Sequence, residues 1–336
     1  MIWPDGKKYD GDWIYDKMTG EGTMTWPDGS KYEGNFIDGK RIGSGAIVYM
    51  DGKKYSGNWE KDKKSGRGVM TWSDGKEYDG DWSDDKMSGE GVMTWPNGSK
   101  YTGNFVEGKQ NGNGSYNYTD GRLYSGSWMN DKRSGHGVMI WPDGGQYEGD
   151  WFNGQRSGNG YGMMTWSEGD IYVGTWSNGK RHGLGTIYNT DGRNYTGGWV
   201  NDSRSGEGVM VTPNGDKYNG DWLNGKRSGR GIFSWADGDQ YDGNWVEGQR
   251  NGSGTMQYID GRRYAGNWIN NWRSGHGVMT WPGGDRYEGE WLNGRKHGSG
   301  KIQYVDGRNY TGGWMNDKKS GEGVMTWPSG RSCVSN

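Results

Sequence analysis

One cysteine, Cys333, stands in 336 residues, so no intramolecular disulfide can staple the chain, and a reducing compartment suits it. Alanine and leucine are nearly missing: Ala46, Ala236 and Ala265, and Leu123, Leu184, Leu223 and Leu292. Both are leading helix formers, whereas glycine, at 69 residues, costs ~1 kcal/mol at each helix-interior position. Helical bundles and helix-covered parallel sheets are thereby excluded. No apolar run approaches the roughly 20 residues of a spanning helix. Met1 to Gly6 carries neither the basic segment nor the apolar core of a secretory signal, so a cytoplasmic chain is expected. Bulk charge of one sign is absent as well. Forty Lys and Arg against 42 Asp and Glu leave a net charge of −2, which argues against a polyanion binder, nucleic acid included.

Aromatics are abundant, with 22 Trp and 22 Tyr, too many for a disordered chain. They recur on a fixed period. A tyrosine followed by Gly two residues later and by Trp or Phe four later occurs at Tyr9, Tyr32, Tyr55, Tyr78, Tyr101, Tyr124, Tyr147, Tyr172, Tyr195, Tyr218, Tyr241, Tyr264, Tyr287 and Tyr310. The spacing is 23 residues, except for 25 between Tyr147 and Tyr172, where Tyr161-Gly162 reads as a two-residue insertion. Counting from each tyrosine, Gly stands at +2, +11, +13 and +20, an apolar residue at +15, and usually Trp or Tyr at +17. Asn189 and Thr212 are the exceptions at +17; six of the seven prolines follow at +18, and Pro4 holds the same slot ahead of Tyr9. Such a repeat predicts one array over residues 1–336.

Each unit reads as a β-hairpin. Tyr32, Gly34 and Phe36 share one face of a strand by period two, and Gly43, Gly45, Ile47 and Tyr49 share a face of the returning strand. Gly, Asp or Asn at +7 tolerates a left-handed backbone, and Pro27-Asp28-Gly29 has the order of a tight turn. A lone hairpin is marginal in water, so neighbours must stack. The expected fold is all-β: an elongated, single-layer, twisted antiparallel sheet of 28 strands.

Tyr-x-Gly-x-Trp, then Gly-x-Gly, then Asp-Gly, on a 23-residue period, closely resembles the MORN repeat. The resemblance implies a hairpin solenoid with a groove, and roles in scaffolding, membrane apposition and cytoskeletal attachment. The chain looks most like the all-repeat scaffolds of protists and the radial-spoke head members. It could also be a targeting module cut from a larger kinase or methyltransferase of the family.

No catalytic residue, metal site or cofactor is expected. His136, His182, His276 and His297 lack metal-ligand spacing and read as solvated loop residues. Carboxylates such as Asp79 and Asp81 point away from the rings, onto a solvated face. A single-layer sheet has nothing to cover its aromatic side, which predicts a glycine-floored groove for a protein segment. Its expected lining is Tyr124, Trp128, Trp141, Tyr147, Trp151, Trp166, Tyr172, Trp176, Tyr195, Trp199, Tyr218 and Trp222. Basic residues at +8 and +9 predict a ridge along one edge: Lys40, Arg41, Lys63, Lys64, Lys132, Arg133, Lys180, Arg181, Lys226, Arg227, Arg295, Lys296, Lys318 and Lys319. That ridge suits anionic phospholipid headgroups, phosphoinositides included. Trp272, at +8 where other units place Lys, Arg, Gln or Ser, reads as a loop contact residue. Cys333-Val-Ser-Asn336 mimics a prenylation box, but Cys333 occupies the tyrosine slot and Ser and Asn suit the box poorly. Unpaired terminal strands lead to the expectation of a homodimer joined near one terminal repeat.

Overall fold

The computed structural model describes residues 1–335; Asn336, the last residue of the prenylation-box mimic, lies outside them. Thirty β-strands and no helix occur among the described residues. Each repeat supplies a seven-residue strand and a nine-residue strand, as in Lys31–Ile37 and Lys40–Val48, paired antiparallel. The count exceeds 28 because the seventh repeat's second strand is split into Gln155–Arg156 and Gly158–Thr165, and Ser332–Ser335 adds a last short strand. The chain forms two compact units, one ending at Ser167 and the other beginning at Glu168.

Two turns alternate. At +6 and +7 the backbone is left-handed at both positions, as at Asp38 (φ 49°) and Gly39 (φ 78°). This is the type I′ turn, whose twist matches the flanking strands, and it explains the Asn, Asp and Gly found there. Tyr15, Lys61, Glu107 and Glu247 adopt the same left-handed φ at +6 without such help. In the second turn Gly29 N–H donates to Trp26 O at 3.0 Å, Trp26 N–H donates to Ser30 O at 2.9 Å, and Asp28 Oδ1 accepts from Ser30 N–H at 2.8 Å. Proline at the first inner position supplies the required φ.

Glycine at +11 and at +13 is needed for different reasons. Gly43 has φ 56° inside a bulge, where Phe36 pairs with Arg41 but Gly34 pairs with Gly45. Gly45 instead lies beneath a ring: a Cβ there would sit 2.1 Å from Tyr32 Oη. The repeat tyrosine thus lies flat across bare backbone. Its hydroxyl donates to the +3 carbonyl, as Tyr55 does to Asn58 at 2.9 Å. In the seventh repeat Gly162 lies beneath the Tyr147 ring, and Tyr147 pairs with Met164.

The core is a zigzag of rings. Tyr55 meets Trp59 of its own repeat edge-to-face at 5.2 Å and Trp82 of the next at 5.3 Å. The pattern runs from Tyr9 to Trp151 in the first unit and from Tyr172 to Trp314 in the second. Most +4 tryptophans donate Nε1–H to a glycine carbonyl of the preceding repeat, as Trp59 does to Gly45 at 3.1 Å. Edge-to-face pairs contribute about 0.5–1.5 kcal/mol each beyond area burial. One repeat is thereby joined to the next by the rings that fill its own centre.

Candidate protein-binding surface

Of the twelve rings expected to line an open groove, ten are core. Tyr124, Trp128, Tyr147, Trp151, Tyr172, Trp176, Tyr195, Trp199, Tyr218 and Trp222 are at most 6% exposed. Only Trp141, at +17, and Trp166, at +19 in the repeat with two extra residues, are no more than half-buried. The physical reason is a second layer that single-sheet reasoning omitted: the +9 cations. Arg133 lies 4.2 Å from the Trp151 ring centroid, Arg181 4.4 Å from Trp199 and Arg227 4.4 Å from Trp245. Their guanidiniums also donate to the next turn, as Arg133 does to Gly154 O at 2.6 Å. Stacked on a ring and bonded to a carbonyl, each cation roofs the core.

The expected basic ridge is therefore two rows. Adjacent strand residues point to opposite faces, so +8 and +9 separate. Lys40, Lys63, Lys132, Lys180, Lys226, Arg295 and Lys318 are exposed. Several pair with the +6 carboxylate of the next repeat: Lys63 with Asp84 at 2.8 Å, and Lys226 with Glu247. Arg41, Lys64, Arg133, Arg181, Arg227, Lys296 and Lys319 lie over rings instead. Burial holds Lys64, Arg133, Arg227 and Lys296 below their ordinary pKa.

What this face offers outward is the +17 row beside the +9 row. In the first unit the row includes Trp26, Tyr49, Trp72, Trp95, Tyr118 and Trp141, and in the second Trp235, Tyr258, Trp281 and Tyr304, all half-exposed. Where Asn189 and Thr212 replace the ring, a cavity of about 320 Å³ opens, lined by Arg181, Arg193, Tyr195, Trp199, Arg204 and Met210 among others. A second, of about 500 Å³, is lined by Trp235, Arg250, Tyr258, Trp268, Trp272 and Arg273, with Asp237 and Asp239 among its other lining residues. Trp272 is 59% exposed and opens the strand Trp272–Thr280 rather than lying in a loop. Its ring would meet a Cβ added at Gly294 at 3.1 Å, so it leans on the next turn.

The other face carries surface ion pairs. Arg67 reaches Asp79 at 3.3 Å and Asp81 at 3.8 Å, placing those carboxylates where the sequence expected them. The histidines also belong to strands, not loops: His136 Nε2 lies 3.7 Å from Glu148 and His276 Nε2 3.9 Å from Glu288. No group of three or more His, Cys, Asp or Glu placed to hold a metal ion occurs among the described residues. Cys333 is exposed and pairs with Met325 in the last strand. Sequence reasoning missed one row entirely. The +5 slot is apolar and about half exposed in most repeats, from Ile37 (53%) to Leu223 (54%) and Met315 (54%). Period two was the available signal, because it places +5 on the face away from the rings.

Fold and surface together define a β-hairpin repeat protein whose centre is built from its own repeat motif. The MORN repeat model matches residues 9–31, 32–54, 55–77, 78–100, 101–121, 124–146, 147–171, 172–192, 195–217, 218–240, 241–262, 264–286, 287–307 and 310–330. The chain belongs to the MORN repeat family. Comparison with curated protein sequences gives no match. Solved structures similar to it include the SAS-4 (dCPAP) TCP domain of Drosophila melanogaster in complex with a proline-rich motif of Ana2 (dSTIL). There the identity is 13% and the TM-score 0.31, over 46% of this chain and 84% of that one. The TCP10 domain of Danio rerio CPAP in complex with a STIL peptide is 11% identical, covering 76% and 96%, with a TM-score of 0.24. Virginiamycin B lyase of Staphylococcus aureus is 10% identical, covering 98% and 88%, with a TM-score of 0.14. Likenesses at these scores carry no argument about what this chain does. No helix among the described residues is long and apolar enough to cross a membrane.

Proposed function

We propose that the protein is a non-enzymatic scaffold that binds a partner polypeptide on its ring face and positions it on cytoskeleton or membrane. The observation that carries this reading is the +17 row: a partly buried ring in every repeat but the two with Asn189 and Thr212, bordered by stacked cations and opening onto cavities. Rings held by a rigid sheet lose little entropy when a peptide covers them, and aromatic-lined grooves suit extended segments. The binding rings are then Trp95, Trp141, Trp235 and Trp281 and their row, while the buried rows at the tyrosine and +4 slots hold the sheet. Panning a displayed library of linear peptides against the full chain tests this. Enrichment that disappears with Trp235→Ala plus Trp281→Ala supports the reading. No enrichment over a blank surface, or enrichment indifferent to those changes, contradicts it.

A second reading, contact with anionic phospholipid, draws on a different row. Exposed +8 lysines alternate with exposed +5 apolar residues, as Lys226 does with Leu223 and Val246. Flotation with phosphoinositide vesicles that fades as salt rises supports it. The homodimer belongs to the same proposal: light scattering should give about twice the 37.6 kDa chain mass.

A further inference from the structure

The +9 row differs between the two units. In the first it is interrupted by Met18, Met87 and Gln110, and two of its cations have carboxylates beside them. Arg41 Nε lies 3.2 Å from Asp62, and Lys64 Nζ 3.5 Å from Asp85. In the second unit Arg181, Arg204, Arg227, Arg250 and Arg273 follow without a break. Arg181 is paired with Asp202 at 3.2 Å. The next four have no carboxylate within ion-pair distance among the described residues, because the facing +7 slots hold Gly225, Gly248, Asn271 and Gly294. Each donates to that residue's carbonyl instead, at 3.0, 3.1, 3.1 and 2.6 Å. Arg204 and Arg250 add a second, weak bond, to Met210 Sδ at 3.7 Å and Met256 Sδ at 3.8 Å, which still leaves most of a guanidinium's five N–H donors open. Burial holds all four below the ordinary arginine pKa, the sign of a positive charge poorly served by solvent. Arg204 lines the first cavity of this face, and Arg250 and Arg273 line the second.

The spacing selects the shape of what would neutralise them. Two strands per repeat set successive cations about 9.6 Å apart. A polyproline II chain advances about 3.1 Å per residue with three residues per turn. Every third residue then falls on the next arginine and faces the same way, whereas a β-extended chain would point alternate third residues to opposite sides. An α-helix, at about 1.5 Å per residue, would need more than six and would turn its side chains away. We propose that repeats nine to twelve bind an acidic polypeptide segment in polyproline II conformation, with carboxylates at every third residue seated on Arg204, Arg227, Arg250 and Arg273. This rests on the protein-binding reading and adds the chemistry of the partner. The flanking +17 rings Trp235, Tyr258 and Trp281 would take the residues between.

Fluorescence anisotropy with the full-length chain tests it, using three labelled twelve-residue peptides. One carries Glu at every third position, one carries the same residues with the four Glu adjacent, and one has Gln for Glu. The spaced peptide should bind at least tenfold more tightly than either other, and more weakly as salt rises. Gly248→Asp places at +7 the carboxylate that Asp62 presents to Arg41, in a slot built for it. It should keep the fold while weakening the spaced peptide at least threefold, and Arg227→Gln should weaken it comparably. Equal binding of the spaced and adjacent peptides, or no response to Gly248→Asp, overturns the inference. If the Gln peptide binds as tightly and loses its binding with Trp235→Ala plus Trp281→Ala, the protein-binding reading stands and the acidic partner falls. If no peptide binds and anionic vesicles do, both fall.

Discussion

Asp62 joins two repeats through one short side chain. Its Oδ1 accepts from Arg41 N–H at 3.0 Å and from Arg41 Nε at 3.2 Å, closing the preceding bulge, while its own backbone sits at φ 74°. The same side-chain bond to the preceding repeat recurs at Asp85, Asp131, Asp202, Asn271 and Asp317. Where the slot is Gly, the bond is absent and the conformation is free of strain. Asp62→Ala should therefore cost about 2–3 kcal/mol, since it removes the bonds and keeps a Cβ in the left-handed region. Asp62→Gly should cost only about 1 kcal/mol. Urea unfolding of the two variants compares them directly; equal costs would mean that backbone strain plays no part here. That +7 must be Gly, Asp or Asn was legible from the residues themselves. That its carboxylate serves the preceding repeat was not, because the pairing spans 21 residues and depends on the bulge at Gly43.

Between hairpins, cohesion comes from rings, and here the sequence was legible in one respect and misleading in another. Period two correctly placed Tyr32, Gly34 and Phe36 on one face. It also separates +8 from +9 and puts +5 on the far side, so the divided basic ridge and the apolar +5 row were open to the same argument. What period two could not reveal is which rings end up covered. Trp151 and Trp141 look alike in the pattern, yet the first is 5% exposed and the second only half-buried. The difference lies in the cation roof and in the tyrosine packed on glycine, both products of assembled neighbours. Trp82 makes the point testable. It meets Tyr55 and Tyr78 edge-to-face at 5.3 Å and donates Nε1–H to Gly68 O at 3.0 Å. Trp82→Phe keeps the ring contact and loses the bond, and should cost about 1 kcal/mol, as Phe36 and Phe105 already fill this slot in their own repeats. Trp82→Ala leaves a void and should cost about 3–5 kcal/mol. Denaturant midpoints for the two should differ accordingly, and coincident midpoints would refute the ring ladder as the source of cohesion.

At the scale of the whole molecule the buried tyrosines act together. Burial raises Tyr32, Tyr195 and Tyr241 to about 12, and pushes up Tyr55, Tyr78, Tyr101, Tyr124 and others of the column. In the unfolded chain these phenols ionise near 10. A raised folded pKa means that the neutral form is favoured by folding, so its contribution is full below about pH 10 and is lost as pH climbs towards 12. The urea midpoint should hold between pH 8 and 9.5 and fall steeply by pH 11, more steeply than one tyrosine could cause. A flat midpoint through pH 11 would contradict the buried column. The central claim, however, concerns which rings hold the fold and which are offered outward, and two neighbouring residues decide it. Trp245 is 3% exposed beneath Arg227, and Trp235 is half-exposed beside Arg250. Melting temperature and peptide binding should be measured together for Trp245→Ala and Trp235→Ala. Trp245→Ala should lower the melting temperature by several degrees or lose the cooperative transition, whereas Trp235→Ala should leave it nearly unchanged and weaken peptide binding at least fivefold. A Trp245→Ala protein that melts normally and loses only binding would return the +4 row to the ligand face and contradict the account.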